Sequence, residues 1–321
     1  FVVAMEPQTG YILAMAGRYY NKETGEFEDF TPGTFTAAYE AGSAVKGATL
    51  LAGYQTGARK IGEVDYDGPM YIQGTDPMSS WRDFGSINDL KAIEQSSNVY
   101  MWKTVLKIMD GQYVPHQPLR MNIEKIDMVR YYFGQFGLGV PTGIGFPNET
   151  AGMKSENYRA YLQIGIGQLD TYTPLQLTQY VSTIANGGYR MKPQLVKEIR
   201  EHNLAGDGPG RLLKTMDPVI LNRVDMTVEM IERVQYGFWL VTHSGTGSTF
   251  ASEPYNPAGK TGTAETPRST YNLSLVGYAP YEDPKIAIAV LVPDAVRQGY
   301  RSSINFDISK RVFRTFFQME K

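Results

Sequence analysis

The sequence contains no cysteine among its 321 residues, which excludes disulfide bonds, thiolate metal ligands and a cysteine nucleophile. It has only three histidines, His116, His202 and His243, and they lie far apart with no ligand spacing around them. That pattern supports neither a zinc site nor a serine–histidine–aspartate triad. We therefore expect no metal ion and no cofactor.

Long apolar stretches and an excess of charge of either sign are missing as well. No apolar run approaches the ~20 residues that a membrane-spanning helix needs. The longest, 286–292, has a proline on either side and is typical of a buried strand. The 31 basic residues are balanced by 33 acidic ones, which argues against nucleic acid as a partner. Because the sequence starts without Met inside an apolar run, we expect a trimmed piece whose targeting segment has been removed.

The composition is that of an ordinary folded protein, with 42% hydrophobic and 20% charged residues, and it suffices for a large core. Strand-like runs occur near both ends of the chain, at 1–5, 11–16, 260–264, 273–278 and 286–292. Between them, apolar residues recur mainly at helical spacing. The pattern predicts an α+β fold, in which a five-stranded antiparallel sheet is flanked by helices and a large, mainly helical part is inserted between the second and third strands. We expect residues 19–36 to be an irregular connection.

The first informative motif is Gly42-Ser43-Ala44-Val45-Lys46-Gly47. Apolar residues follow it at helical spacing, which predicts a helix that begins near Ser43. Lys46 lies on the same helix face, roughly 5–6 Å away between Cβ atoms. An amine whose pKa is lowered by burial or by a second cation can take the proton of such a hydroxyl. Many solvated helices also begin with Ser-x-x-Lys, so this motif needs support from others.

Two further motifs carry groups that suit the same chemistry. Helical apolar spacing before and after Ser96 and Asn98 places both residues in a turn between two helices. Lys260-Thr261-Gly262-Thr263 begins a late strand. Its lysine supplies positive charge, its threonines supply hydroxyls, and its glycine leaves room for a ligand backbone. The combination suits an anionic ligand beside a strand, although the tetrapeptide alone can equally be a strand-initiating turn.

Taken in order, Ser-x-x-Lys, Ser-x-Asn and Lys-Thr-Gly match a known catalytic set. The chain resembles the transpeptidase domain of penicillin-binding proteins. Because it has no glycosyltransferase region, it is most similar in organisation to the monofunctional class B branch of that family. Several connecting segments resemble the family too, namely 3–15, 145–149, 166–168, 173–177 and 276–280. One departure is Leu169, where the family often has glycine. We expect that segment to be a packing turn away from the chemistry.

The resemblance implies roles for the motif residues. Ser43 is the implied nucleophile, which attacks a D-alanyl-D-alanine carbonyl to form an acyl-enzyme, and Lys46 is its implied general base. Ser96 would relay a proton to the departing amine, and Asn98 would hold Lys46 and a substrate amide. Lys260 would keep the site electropositive. β-Lactams would acylate the same serine.

The remaining implied contacts concern the late strand and one aromatic residue. The hydroxyls of Thr261 and Thr263, on either side of Gly262, would bind the terminal carboxylate. The backbone N–H groups of Ser43 and Thr263 would form an oxyanion hole. Trp81 lies between the first two motifs, where the family often has an aromatic residue in the cleft. It is either a wall of the acyl-donor groove or an ordinary core residue.

The resemblance also implies a setting and partners. Residues 1–321 would be one transpeptidase domain, with 1–18 and 257–321 in its sheet part and about 37–250 in its helical insertion. An N-terminal membrane anchor and a pedestal domain would precede it, so that the site faces outward from the bacterial cytoplasmic membrane. Implied partners are peptidoglycan stem peptides, as D-Ala-D-Ala donor and amine acceptor, β-lactam antibiotics and a membrane-embedded cell-wall polymerase.

Three alternatives share these motifs. A β-lactam hydrolase needs a base that activates water, and Glu149 follows Ser96 at a suitable distance, although its segment resembles the transpeptidase version. A DD-carboxypeptidase differs only in using water as the acyl acceptor. A non-catalytic sensor domain that is acylated once also keeps the serine and the lysine.

Overall fold

The computed structural model describes residues 1–203, 206 and 208–319. Its strands are β1 (Val2–Met5), β2 (Ile12–Ala16), β3 (Arg18–Asn21), β4 (Glu26–Asp29), β5 (Val64–Asp67), β6 (Gly85–Asn88), β7 (Tyr189–Met191), β8 (Glu198–Arg200), β9 (Leu212–Thr215), β10 (Ile220–Arg223), β11 (Ala258–Glu265), β12 (Thr270–Ala279) and β13 (Ile286–Arg297). Its helices are α1 (Gly33–Thr36), α2 (Lys46–Gln55), α3 (Asp89–Glu94), α4 (Asn98–Ile108), α5 (Ile126–Gln135), α6 (Pro174–Ala185), α7 (Val228–His243) and α8 (Ile304–Phe316).

Single-turn or irregular 3₁₀ segments complete the secondary structure, at Gly42–Val45, Ile123–Lys125, Tyr158–Ile166 and Ser248–Phe250. None of the helices in the described part of the chain is long and apolar enough to cross a membrane. The short strands β5 to β10 pair only in two-stranded ladders inside the insertion, so this part is mainly but not wholly helical.

The predicted five-stranded antiparallel sheet is confirmed. Its strand order is β11-β12-β13-β1-β2, so the first two strands of the chain complete a sheet begun by the last three. Strand β13 lies at the centre and is buried on both faces over its first half, as the apolar run 286–292 predicts. Strand β11, which carries the Lys-Thr-Gly motif, lies at one edge of the sheet.

The alternation of side chains along β13 divides the interior into two parts. Ile288 and Val290 pack with Phe313 of α8 on one face of the sheet. Ala287 and Ala289 point to the other face, where they join the large core formed with α2, α4, α6 and α7. Helix α6 is buried along its whole length and begins with Thr173 as its cap and proline as its first residue. The sheet therefore has helices on both sides.

The prediction that residues 19–36 form an irregular connection is wrong. Strands β3 and β4 form an antiparallel hairpin there, followed by the short helix α1. The hairpin exposes Tyr20 and Phe27, which stack edge to face on its surface, so it has no buried apolar face that alternation would reveal. Its turn is organised by the Asn21 side chain, which accepts the backbone N–H of Glu23 at 2.8 Å, and by Gly25 at φ +73°.

Candidate active site

The first motif forms the expected helix start. A 3₁₀ turn, Gly42–Val45, leads directly into α2, which begins at Lys46. Ser43 is half-buried in this turn. Gly42 has φ +57°, and a Cβ there would lie 2.3 Å from the backbone oxygen of Thr263. A glycine is therefore required at position 42, because the backbone of the turn that carries Ser43 packs directly against the edge strand β11.

Lys46 is fully buried, and its ammonium group donates three hydrogen bonds. The acceptors are the backbone oxygen of Ser96 at 2.7 Å, the Ser96 hydroxyl at 3.2 Å and Asn98 Oδ1 at 2.7 Å. Burial lowers the pKa of Lys46 well below its ordinary value, and the nearby charge of Lys260 lowers it further, whereas Asp67 acts in the opposite direction. A neutral amine is therefore accessible at this position at far lower pH than in water.

The second motif lies in a tight turn between α3 and α4. Ser96 adopts a left-handed conformation, with φ +58°, and Asn98 is the first residue of α4. Between them, Ser97 caps α4 by accepting the N–H of Tyr100 at 2.9 Å. This geometry turns a backbone oxygen, a hydroxyl and a side-chain amide toward one point, the ammonium group of Lys46.

The third motif brings a second buried amine to the same turn. Lys260 donates to the Ser96 hydroxyl at 3.0 Å and to the backbone oxygen of Thr261 at 3.0 Å. Burial lowers the pKa of Lys260 to about 7. The Thr261 hydroxyl pairs with that of Thr246 at 2.9 Å, and Thr263 is exposed. A strand edge that presents hydroxyl groups close to a buried lysine suits an anionic ligand.

Residues from all three motifs line one cavity of about 460 Å³. Seven of the predicted site residues line it, namely Ser43, Trp81, Ser96, Asn98, Thr261, Gly262 and Thr263. The two lysines are fully buried and do not line the cavity, but both donate to the hydroxyl of Ser96, which does. In the described part of the chain, no group of three acidic or histidine side chains is placed to hold a metal ion.

Trp81 is not a core residue. It is 61% exposed, and its indole N–H donates to the backbone oxygen of Gln95 at 2.8 Å, immediately before the Ser96 turn. The Arg82 guanidinium lies 4.9 Å from the ring centre. The hypothesis that Trp81 is a core residue is therefore excluded. The hypothesis that it forms a wall of the acyl-donor groove is tested below.

The expectation that the 166–168 segment lies away from the chemistry is wrong. Ile166 and Gln168 line the cavity beside Ser43. Between them, the backbone oxygen of Gly167 accepts the N–H of Gly42 at 3.0 Å, and a Cβ on Gly167 would lie 2.2 Å from the Gly42 oxygen. No local spacing in the sequence reveals this contact, because it joins segments more than a hundred residues apart.

The sequence and the fold are similar to those of known penicillin-binding proteins. The family description "Penicillin binding protein transpeptidase domain" matches residues 1–317. Penicillin-binding protein 2A of Bacillus subtilis is 46% identical over 337 residues, which cover 100% of this chain and 47% of that protein. Penicillin-binding protein 2B of Streptococcus pneumoniae is 36% identical over 310 residues, with coverage of 91% and 45%.

A solved structure agrees with these sequence matches. Penicillin-binding protein 2B from Streptococcus pneumoniae strain R6 has a TM-score of 0.93 at 32% identity, covering 99% of this chain and 54% of that chain. A solved structure of PBP2 from Pseudomonas aeruginosa has a TM-score of 0.72 at 26% identity. The chain thus spans about half the length of the first relatives it matches.

Proposed function

The chain belongs to the penicillin-binding protein transpeptidase domain family, and from this premise we propose that it cross-links peptidoglycan stem peptides through an acyl-enzyme on Ser43. The observation that carries the proposal is that residues of all three motifs line one cavity, while Lys46, three residues after Ser43, is buried and held by Ser96 and Asn98, which line that cavity. A serine hydroxyl next to an amine of lowered pKa is a standard arrangement of an activated nucleophile.

In the proposed acylation, Ser43 Oγ bonds to the carbonyl carbon of the penultimate D-alanine while its proton passes to neutral Lys46. The bond between that carbon and the terminal D-alanine nitrogen then breaks. The leaving nitrogen receives a proton through the Ser96 hydroxyl, which Lys46 and Lys260 both contact. The amine of a second stem peptide then attacks the ester carbon, the bond from that carbon to Ser43 Oγ breaks, and a proton passes from the amine to Oγ, which restores Ser43 and completes the cross-link.

The edge strand β11 suits the carboxylate end of such a donor peptide. We propose that the hydroxyls of Thr261 and Thr263 bind the terminal carboxylate, over the positive charge of Lys260. The backbone N–H groups of Ser43 and Thr263 are proposed as the oxyanion hole. Gly262 allows the strand to approach the nucleophile, since a Cβ there would lie 2.3 Å from the backbone oxygen of Ala41.

A β-lactam hydrolase is the nearest competing enzyme, and the position of Glu149 disfavours it. The Glu149 carboxylate accepts the backbone N–H of Thr142 at 2.7 Å and also the Thr142 hydroxyl. It is outside the set of residues that line the cavity. A base that activates water for deacylation must reach the acyl group, and Glu149 instead stabilises a loop elsewhere.

The setting of the whole protein follows from the proposed substrate. Peptidoglycan lies outside the cytoplasmic membrane, so we propose an extracytoplasmic site, an N-terminal anchor and pedestal in the longer protein, and a membrane-embedded polymerase as partner. We also propose that residues 1–18 and 257–321 form the sheet part of the transpeptidase domain and that residues from about 37 to 250 form its helical insertion. A carboxypeptidase side activity would require only that water replace the acceptor amine.

The testing experiment is intact mass spectrometry after mixing the chain with benzylpenicillin, followed over hours, with Ser43→Ala as the control. A stable adduct on the native chain and none on the variant supports a slowly deacylating serine enzyme. Antibiotic loss without an adduct would instead indicate a hydrolase, and neither adduct nor loss would overturn the catalytic assignment. A donor–acceptor assay with a D-Ala-D-Ala pentapeptide then separates a transpeptidase, which forms cross-linked product, from a sensor, which does not.

A further inference from the structure

A buried carboxylate contacts the Ser96–Asn98 turn and has no ion-pair partner among the residues that the structure describes. Asp67, at the end of β5, is 0% exposed. One of its oxygens, Oδ2, accepts the hydroxyls of Ser80, at 2.8 Å, and of Ser97. The other, Oδ1, has no hydrogen-bond partner within the described residues. A buried carboxylate oxygen without a hydrogen bond lowers the stability of the folded state. A contribution to stability alone therefore does not explain why this position holds an aspartate.

The two serines connect Asp67 to the start of α4. Ser80 accepts the backbone N–H groups of Asn98 at 2.9 Å and Val99 at 3.2 Å. Ser97 accepts the N–H of Tyr100 at 2.9 Å. Because each hydroxyl donates its only proton to Asp67, its oxygen is left free to accept these N–H groups. Asp67 therefore fixes the orientation of both caps, and with it the first turn of α4.

That turn carries the groups that hold Lys46. Asn98 Oδ1 and the backbone oxygen of Ser96 both lie 2.7 Å from its ammonium nitrogen. The charged groups that act on Lys46 in the described part of the chain are Lys260 on β11 and Asp67 on β5, whereas the turn between α3 and α4 offers only neutral acceptors. The negative charge of Asp67 opposes the effects of burial and of Lys260 on the pKa of Lys46.

We propose that Asp67 is a positioning residue for the Ser43 site. It holds the Ser96–Asn98 turn through Ser80 and Ser97, and it supplies a negative charge that acts on the buried Lys46. The inference rests on the proposed acylation of Ser43. It assigns a role to a residue outside the three motifs and outside the lining of the cavity.

The test measures the rate of acylation by benzylpenicillin against pH for the wild-type chain and for Asp67→Asn. Asparagine keeps the size and one acceptor oxygen but removes the charge. Loss of that charge lowers the pKa of Lys46, so the acidic midpoint of the rate profile moves to lower pH by about one unit. Looser positioning of the turn lowers the plateau rate about tenfold.

Two variants separate charge from positioning. Ser80→Ala breaks the link to the Asn98 N–H but keeps the carboxylate, so its plateau falls while its acidic midpoint stays at the wild-type pH. Glu149→Gln removes a carboxylate that also accepts an N–H and a hydroxyl, but away from the cavity. It is the matched control, with an unchanged plateau and midpoint.

The outcomes distinguish this inference from the proposed function. Absence of acylation in the wild type contradicts the proposed function itself. Wild-type acylation together with an unchanged midpoint in Asp67→Asn overturns the charge-balancing role. If Asp67→Asn does not fold by circular dichroism, Ser80→Ala and Ser97→Ala carry the test, and wild-type plateaus in both would overturn the positioning role.

Discussion

Lys46 and Lys260, which are 214 positions apart in the sequence, donate to the same hydroxyl oxygen, that of Ser96, at 3.2 and 3.0 Å. Both side chains are fully buried. Burial lowers the pKa of both amines, and the positive charge of Lys260 lowers the pKa of Lys46 further. The pair therefore favours the state in which one amine is neutral and one is charged, as general-base catalysis over an anionic substrate requires.

Replacing Lys260 by methionine should stabilise the fold at neutral pH while abolishing productive binding. The folded-state pKa of Lys260 is about 7, below the unfolded value, so the unfolded chain binds more protons between these two pKa values. Wild-type stability therefore rises with pH across that window. The advantage of Lys260→Met should be full below about pH 7, shrink above it and vanish toward pH 10.5, the ordinary lysine value.

Chemical denaturation at pH 7, 8.5 and 10 measures this difference directly. Thr261→Val is the control, since it changes the neighbouring residue of the same strand without touching a buried charge. A Lys260→Met chain that is less stable than wild type at pH 7, with no trend in pH, would contradict the assignment of the burial cost to Lys260.

Substituting Gly262 by alanine should separate the edge strand from the nucleophile turn. The added Cβ would lie 2.3 Å from the backbone oxygen of Ala41 and 2.2 Å from Ser274 Oγ. Relief of such overlap costs about 1–3 kcal/mol of stability, and the displacement should lower the acylation rate about a hundredfold. Gly134→Ala in helix α5 is the control, because its Cβ would meet only a Val140 methyl group, at 3.2 Å.

For this pair of glycine variants, thermal denaturation and the second-order rate of acylation are the two readouts. Gly134→Ala gains alanine's helix preference against a tight contact with Val140, so its stability should change less than that of Gly262→Ala. Its acylation rate should be unchanged, since Gly134 is outside the set of residues that line the cavity. Wild-type acylation by Gly262→Ala would mean that β11 does not need its close approach to Ser43.

Truncating Trp81 to alanine tests whether it is a wall of the donor groove. Trp81 is 61% exposed and lines the cavity, so its removal should leave thermal stability within about 0.5 kcal/mol. Acylation by a pentapeptide donor should slow about tenfold. Tyr66→Ala, at 63% exposure and outside the cavity, is the matched control, and equal rates for the two variants would remove the groove role.

Removing the Tyr180 hydroxyl should loosen the junction between the 3₁₀ turn and α2. This hydroxyl donates to the backbone oxygen of Ala44 at 3.2 Å and accepts the N–H of Ala48 at 3.3 Å, on either side of Lys46. Tyr180→Phe should cost about 1 kcal/mol and slow acylation severalfold. Tyr54→Phe also deletes a buried hydroxyl of this core, one that donates to Asp89, and should destabilise the chain with no effect on acylation.

Stopped-flow acylation and urea denaturation separate the two tyrosine variants. If the acylation rate falls in proportion to the loss of stability in both variants, the Tyr180 hydrogen bonds have no specific effect on the nucleophile. If only Tyr180→Phe slows acylation, the bridge holds the geometry between Ser43 and Lys46.

Local chemistry was enough to predict most elements and the chemical groups of the candidate site. β-Prone and apolar runs predict the five strands of the main sheet, β1, β2 and β11 to β13, helical spacing predicts α2 to α8, and Thr173-Pro174 predicts the start of α6. These signals are visible in the sequence because each reflects one buried face repeated along a short segment. The hairpin of β3 and β4 gives no such signal, since its aromatic side chains are exposed.

The identity and order of the reactive groups follow from the sequence alone, because a serine hydroxyl and a lysine amine are the same groups wherever the chain places them. Which groups are buried, and which are neighbours, depends instead on how distant segments pack together. Lys46 and Lys260 meet at Ser96 through the packing of α2, the α3–α4 turn and β11. The contributions of Asp67 and Gly167 arise the same way, since a pKa shift or a close backbone approach depends on contacts between distant segments and leaves no local pattern.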